Sequence, residues 1–231
     1  MEGFILAAGL GTRLRPLTND RPKALVEVGG KTLLQITIEK LEAAGIGHIV
    51  VNVHHFADKV VDFIRSHQWQ ASIDISDESS MLLDTGGGLK HAASLFCGHE
   101  PVVVHNVDIL SDIELRDVAA RHTAEGNLVT LCVSRRQTKR MLAFRNGMLV
   151  GRADGSPDQQ DCEILAFSGV SVVSPELFGL LPEADHPYPV IDQYIGLAQT
   201  QRIGCYLHLA DNWLDVGKPE TLQQAQQWIH S

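Results

Sequence analysis

Gly3-Phe4-Ile5-Leu6-Ala7-Ala8-Gly9-Leu10-Gly11-Thr12-Arg13-Leu14-Arg15-Pro16-Leu17-Thr18, continued through Asn19-Asp20-Arg21 to Pro22-Lys23, is the stretch on which the fold turns. Phe4 to Ala8 reads as a short apolar strand. The glycines at 9 and 11 let the chain leave it with backbone N–H groups turned outward, as in a loop that holds phosphate oxygens. Arg13, Arg15, Arg21 and Lys23 follow, in a chain whose formal net charge is -9. A cationic segment in an acidic chain is most simply explained by an anionic ligand.

Two common phosphate motifs do not fit. As a dinucleotide fingerprint the loop has Leu14 where the third glycine belongs, and no helix opens through Pro16. Gly30-Lys31-Thr32 imitates the end of a Walker A loop, but the first glycine of that motif falls on Leu25, so the segment reads as a turn before a helix. The loop instead matches G-x-G-x-R-[LM]-x-P-L-T followed by P-K, and in this it resembles the nucleotidyltransferases that make nucleoside-diphosphate sugars from sugar 1-phosphates. That resemblance implies nucleotide contacts from Leu6, Ala7, Ala8, Gly9, Gly11, Thr12, Arg13 and Lys23. It further implies that Arg13 and Lys23 are catalytic, neutralising charge on the α-phosphate and the departing pyrophosphate.

At 231 residues, 44% hydrophobic and 20% charged, the chain reads as one soluble domain over residues 1–231. No apolar run is long enough to span a bilayer, and Met1-Glu2-Gly3 lacks the basic start of a signal peptide. Cys97, Cys132, Cys162 and Cys205 are widely spaced without a C-x-x-C pair, which speaks against a zinc site or a disulfide framework and suits the cytoplasm. The acidic balance excludes a general nucleic-acid surface, and the histidines are scattered without ligand spacing.

Periodicity predicts a helix from Thr32 to Ala44 with Thr32 as N-cap, a buried strand at His48 to Val53, a helix at Phe56 to His67 and a strand at Ala71 to Ser76. This alternation indicates an α/β fold, a Rossmann-like, doubly wound, mixed and mainly parallel sheet between two layers of helices. Asp84-Thr85-Gly86-Gly87-Gly88 is expected to form a loop at a helix N-terminus. By resemblance Thr85, Gly86 and Gly87 form the second nucleotide-binding loop.

Pro101 to His105 is a further buried strand, ending in Asn106-Val107-Asp108, where an α/β sheet opens a ligand crevice. Ser111 to Glu114 reads as a capping box, which assigns Asp112 to a helix first turn. Arg135-Arg136-Gln137-Thr138-Lys139-Arg140 is a second basic cluster, suited to a dianionic sugar phosphate, and Asn146-Gly147 signals a two-residue hairpin. Phe167-Ser168-Gly169 stands where the family often has asparagine-alanine-glycine beside the sugar. The glutamate-lysine-proline motif that precedes it in many relatives is absent. The resemblance implies sugar-phosphate contacts from Asn106, Ser168 and Gly169, with Arg140 of the basic cluster beside them. Trp213-Leu214-Asp215-Val216-Gly217 resembles the stretch carrying the family's second metal aspartate, so Asp108 and Asp215 are the expected Mg2+ ligands.

No hexapeptide repeat follows the last helix, so no β-helical domain is expected. The implied reaction transfers a nucleoside monophosphate from a nucleoside triphosphate to a sugar 1-phosphate. The short chain, Phe167-Ser168-Gly169 and the missing motif together resemble the uridylyltransferase branch that acts on N-acetylmuramate 1-phosphate. GTP with mannose 1-phosphate, a phosphocholine cytidylyltransferase and a non-catalytic nucleotide-sugar sensor are the alternatives.

Overall fold

The structure, a computed structural model, describes residues 1–209 and 211–229. In its first half, β1 (Glu2–Leu6), a small ribbon of β2 (Glu27–Val28) and β3 (Lys31–Thr32), α1 (Leu33–Ala43), β4 (His48–Val53), α2 (Ala57–Arg65), β5 (Ser72–Asp77), α3 (Asp84–His91) and β6 (Val102–Asn106) follow one another. Strands β5, β4, β1 and β6 lie side by side and parallel, as the alternation of strand and helix requires. Thr32 caps α1 by accepting from Gln35 N at 3.1 Å.

The second half adds β7 (Ile109–Ser111), α4 (Leu115–Glu125), β8 (Val129–Ser134), β9 (Met141–Arg145), β10 (Met148–Arg152), β11 (Glu163–Val173), α5 (Leu177–Leu180), α6 (Val190–Leu197), β12 (Ile203–Leu207), β13 (Trp213–Asp215) and α7 (Pro219–Ile229). Strand β11 runs antiparallel to β6, and the nine-stranded order is β5-β4-β1-β6-β11-β8-β12-β10-β9. Strand β9 also pairs with the first half of β11, so β11, β8, β12, β10 and β9 close on themselves. Asn146 and Gly147 turn the β9–β10 hairpin at φ 51° and 77°, the conformation a tight primed turn demands. The sheet is mixed.

Alternation along the strands divides the core in two. Ile5, Ile49, Val51 and Val103 face α1, α2, α4 and α7, whereas Phe4, Val50, Val102 and Val104 face α3, α5 and α6. Both sheet faces are thereby covered, giving three layers.

Two local expectations are corrected. Gly86, Gly87 and Gly88 lie inside α3, buried, and not in a loop before it. Close packing is the reason, because a Cβ on Gly86 would stand 2.5 Å from the Tyr188 ring and one on Gly88 would stand 2.5 Å from Glu78 Oε1. Helix propensity alone favours alanine there by roughly 0.5–1 kcal/mol. Overpacking outweighs it. Gly88→Ala is expected to destabilise the protein by about 1–3 kcal/mol, read as a fall in Tm. A Tm equal to or above the parent's would show that the neighbours yield.

The capping box does not form. Ser111 lies in β7 opposite Trp213, Glu114 occupies the N-cap of α4 without a side-chain bond, and the helix begins at Leu115. Asp112 therefore stands before the helix, where its backbone N–H donates to Asn212 O at 3.1 Å and its carboxylate accepts from Asn212 Nδ2 at 2.8 Å. A pairing with a strand a hundred residues away captures Ser111, which local pattern cannot weigh.

Candidate active site

The glycine loop leaves β1 at the carboxyl edge of the sheet. Ala7 N and Ala8 N both donate to Asn52 Oδ1, at 2.6 and 3.2 Å, and Asn52 Nδ2 donates to Glu78 Oε1 at 2.7 Å. Glu78 Oε2 in turn accepts from Leu83 N at 3.1 Å, one residue before α3. This buried chain ties the loop to the start of α3. Further along, Gly11 adopts φ +62° with its carbonyl held by Thr18 Oγ1 at 2.9 Å, and a Cβ there would stand 2.9 Å from Lys23 Cβ. The tight approach brings Lys23 under the loop.

Burial raises the Glu78 carboxyl above its ordinary range, an effect only partly offset by the bond from Asn52. A raised folded pKa means that its contribution to stability is complete below the unfolded value near 4.5 and is lost as pH rises through the folded value. Glu78→Gln removes that titration. Denaturant unfolding between about pH 4 and pH 8 is expected to show a flatter stability profile in this variant than in the parent. A profile parallel to the parent's would assign the slope to other groups.

Asp108 lies between β6 and β7, and β7 pairs with β13 so that Ile109 is opposite Asp215. Val216 N closes the pairing by donating to Asp108 O at 2.8 Å. The ribbon thus sets two carboxylates together that are far apart in sequence. Lys23 Nζ ion-pairs with Asp108, both largely buried. The Asp215 carboxyl is raised by burial and then by the neighbouring Asp108 charge, against the opposing pull of Lys23. Asp215 Oδ1 accepts from Gly217 N at 2.9 Å. A Cβ on Gly217 would lie 2.6 Å from Arg13 Nη2 and 2.7 Å from Asp215 Oδ1, so a side chain there would displace both groups.

Two adjoining cavities meet at this ribbon and share Leu6, Asp84, Thr85 and Asn106. The first, of about 410 Å³, reaches from Ala8, Gly9 and Lys23 past Asp108 to Asn52 and Glu78. Ala7 is buried beneath it, while Gly11, Thr12 and Arg13 belong to the outer turn of the loop. Gly86 and Gly87 pack against Tyr188 and His186 and do not line it; Thr85 does.

The second cavity, of about 360 Å³, runs from Asp215 and Trp213 to Arg136, Arg140 and Arg152. Of the expected sugar contacts, Asn106, Arg140 and Gly169 line it. Gly169 has φ +76°, and a Cβ would stand 2.7 Å from Ile109 Cγ1. Ser168 faces away: it is fully buried, with its hydroxyl 2.8 Å from His208 Nε2, and Ser171 lines the cavity instead.

Sequence reading missed Asn52 and Glu78 in the first cavity and Arg152 and Trp213 in the second. Asn52 left a trace, a polar residue inside the β-branched run of β4. Arg152 left none, because it stands on a hairpin strand brought to the site by the closing of the sheet.

A two-lobed crevice at the strand ends, with a glycine loop in one lobe and paired carboxylates between the lobes, is an arrangement for joining two anionic substrates. The profile of the nucleotidyl transferase family matches residues 2–231, and the chain belongs to that family. It is 38% identical over 228 residues to N-acetylmuramate alpha-1-phosphate uridylyltransferase of Caulobacter vibrioides, covering 94% of this chain and 92% of that one. Against mannose-1-phosphate guanylyltransferase catalytic subunit beta of Dictyostelium discoideum the identity is 28%, over 95% of this chain and 62% of the relative. Among solved structures, HddC of Yersinia pseudotuberculosis complexed with GMP-PN superposes with a TM-score of 0.79 over 99% of each chain, at 20% identity. The last likeness speaks to the fold.

Proposed function

We propose that this protein transfers UMP from UTP to N-acetylmuramate α-1-phosphate and releases pyrophosphate. The observation that carries the reading is the Asp108–Asp215 pair with Lys23, standing where the two lobes meet. Similarity to the uridylyltransferase of Caulobacter vibrioides, nearly end to end on both chains, favours this substrate pair over GTP and mannose 1-phosphate. The second lobe supports it too. Arg136 and Arg140 line it, so that with one cation on the phosphate another remains for the carboxylate that a lactyl-bearing sugar adds.

Asp108 and Asp215 fit a hard divalent cation. Asp108 and Asp215 set two carboxylates side by side, burial and the nearby Asp108 charge raise the Asp215 carboxyl, and a divalent ion with oxygen ligands would relieve that repulsion. When bound, Mg2+ would neutralise charge on the reacting phosphate oxygens. Among the described residues no group of three or more His, Cys, Asp or Glu could hold a metal ion, so the remaining ligands would come from phosphate and water.

The chain's own residues address repulsion between two anions. An acceptor phosphate is already ionised at neutral pH, so no general base is required, and positioning with charge neutralisation does the chemistry. Backbone N–H groups of the glycine loop hold the triphosphate, Lys23 and Arg13 take charge on the leaving side, and the arginines of the second lobe draw in the acceptor. The unit is residues 1–231. Cytoplasmic location accords with the free cysteines, and among the described residues no helix is long and apolar enough to cross a membrane.

The test is pyrophosphate release with UTP or GTP against N-acetylmuramate 1-phosphate, N-acetylglucosamine 1-phosphate and mannose 1-phosphate. The expected result is the highest kcat/KM with UTP and N-acetylmuramate 1-phosphate. A clear preference for GTP with mannose 1-phosphate would overturn the substrates and leave the reaction class intact.

A further inference from the structure

The cations of the second basic cluster are not equivalent. Arg135 turns outward to Glu163, at 2.9 Å, and is exposed. Lys139 does not line the cavity, and Arg140 does so from an exposed position. Arg152, from the hairpin, is already paired with Asp192.

Arg136 differs from all of these. It is half-buried, its Cζ lies 4.0 Å from the centre of the Trp213 ring, and one Nη donates to Phe167 O. Trp213 is itself fixed, its Nε1 donating to Ser168 O at 2.9 Å. A guanidinium on an indole face with one nitrogen tethered has little freedom left to lose on binding. Its Nε, however, is buried and without a partner. Arg136 nonetheless lines the second cavity, so its charge faces an anion bound there.

Position selects the ligand. Trp213 and Asp215 are two residues apart on β13, so their side chains share one face of the strand. Asp215 is the charge that acts on Arg136. The acceptor's phosphate must come to the Asp108–Asp215 pair for its oxygen to attack, whereas the rest of the sugar extends away into the lobe. The cation beside Asp215 is the one the phosphate meets.

We infer that Arg136 grips the phosphate of the acceptor sugar 1-phosphate, with Trp213 as its positioning residue. This rests on the nucleotidyltransferase reading but not on which sugar is used, since every acceptor of the class carries the same phosphate. It also accounts for how a chain without a lysine in the stretch before Phe167-Ser168-Gly169 holds an acceptor dianion: the cation comes from the β8–β9 connection.

Arg136→Gln is tested by pyrophosphate release at varied acceptor and saturating UTP, and by titration of UTP in the absence of acceptor. The expected result is an acceptor KM raised about tenfold or more with every sugar 1-phosphate the parent uses, and an unchanged Kd for UTP. Arg136→Lys recovers part of the loss. Trp213→Leu raises the acceptor KM severalfold, and Trp213→Phe, which keeps an aromatic face, raises it less. Arg135→Gln leaves it at the parent value. An Arg136→Gln variant with a parental acceptor KM, or one in which UTP binding weakens in parallel, overturns the assignment alone. A parent that releases no pyrophosphate with any acceptor overturns the reaction reading and this inference with it.

Discussion

Asp108→Asn and Asp215→Asn each lower kcat by about a hundredfold to a thousandfold, an expected loss of about 3–4 kcal/mol of transition-state stabilisation. The substitution keeps shape and removes charge. In Asp215→Asn the amide oxygen would still accept from Gly217 N, and the β7–β13 pairing runs through backbone groups, so the fold is expected to persist. The Asp215 carboxyl is raised in the folded state, chiefly by burial and then by Asp108. Its contribution to stability is therefore present at low pH and lost as pH rises through that folded value. At neutral pH the metal-free Asp215→Asn protein should thus be at least as stable as the parent. Added Mg2+ should raise its Tm less, since ligand binding stabilises only as far as the site survives. Thermal unfolding with and without Mg2+, beside steady-state turnover, checks both halves. Near-parental turnover at saturating Mg2+ would show that the residue replaced is no required ligand.

Lys23→Ala is the second large effect. Lys23 neutralises Asp108 and restrains the rise at Asp215. In the proposed reaction it also takes charge on the leaving phosphates. Removal of such a preorganised charge costs about 10²–10³ in kcat. The loss should be similar for every acceptor, which separates Lys23 from Arg136, whose change is read in the KM of the sugar phosphate. Without the lysine the two half-buried carboxylates face each other with less positive charge beside them, since Arg136 acts on Asp215 alone. The metal-free variant should accordingly unfold at a lower temperature than the parent, and Mg2+ should restore more of its Tm than it adds to the parent. A Tm gain from Mg2+ equal to the parent's would mean that Lys23 and the cation do not share the carboxylates.

Much of the architecture was legible in local pattern. The β-branched runs of β4 and β6, the Thr32 cap, the Asn146-Gly147 turn and the strand-helix rhythm are each set by neighbours in sequence, and the structure forms them within a residue or two. The glycine loop, with its cations, was legible for the same reason. Its backbone conformation and its charge are written in consecutive residues.

What only the tertiary structure decided depends on contacts between distant segments. Gly86 to Gly88 read as a loop because three glycines disfavour a helix, yet Tyr188 and Glu78 press so close that only glycine fits inside α3. Ser111 read as a helix cap until β13 claimed it as a strand partner. Spacing in the basic cluster could not tell Arg135, facing Glu163, from Arg136, held on Trp213. Nor could it turn Ser168 toward His208 and leave Ser171 lining the cavity. By itself the sequence determined which residue types could carry the chemistry and the order of the elements that bear them. Packing decided which side chains reach the site, because side-chain direction near a closed sheet is set by pairings and close approaches that span the whole chain.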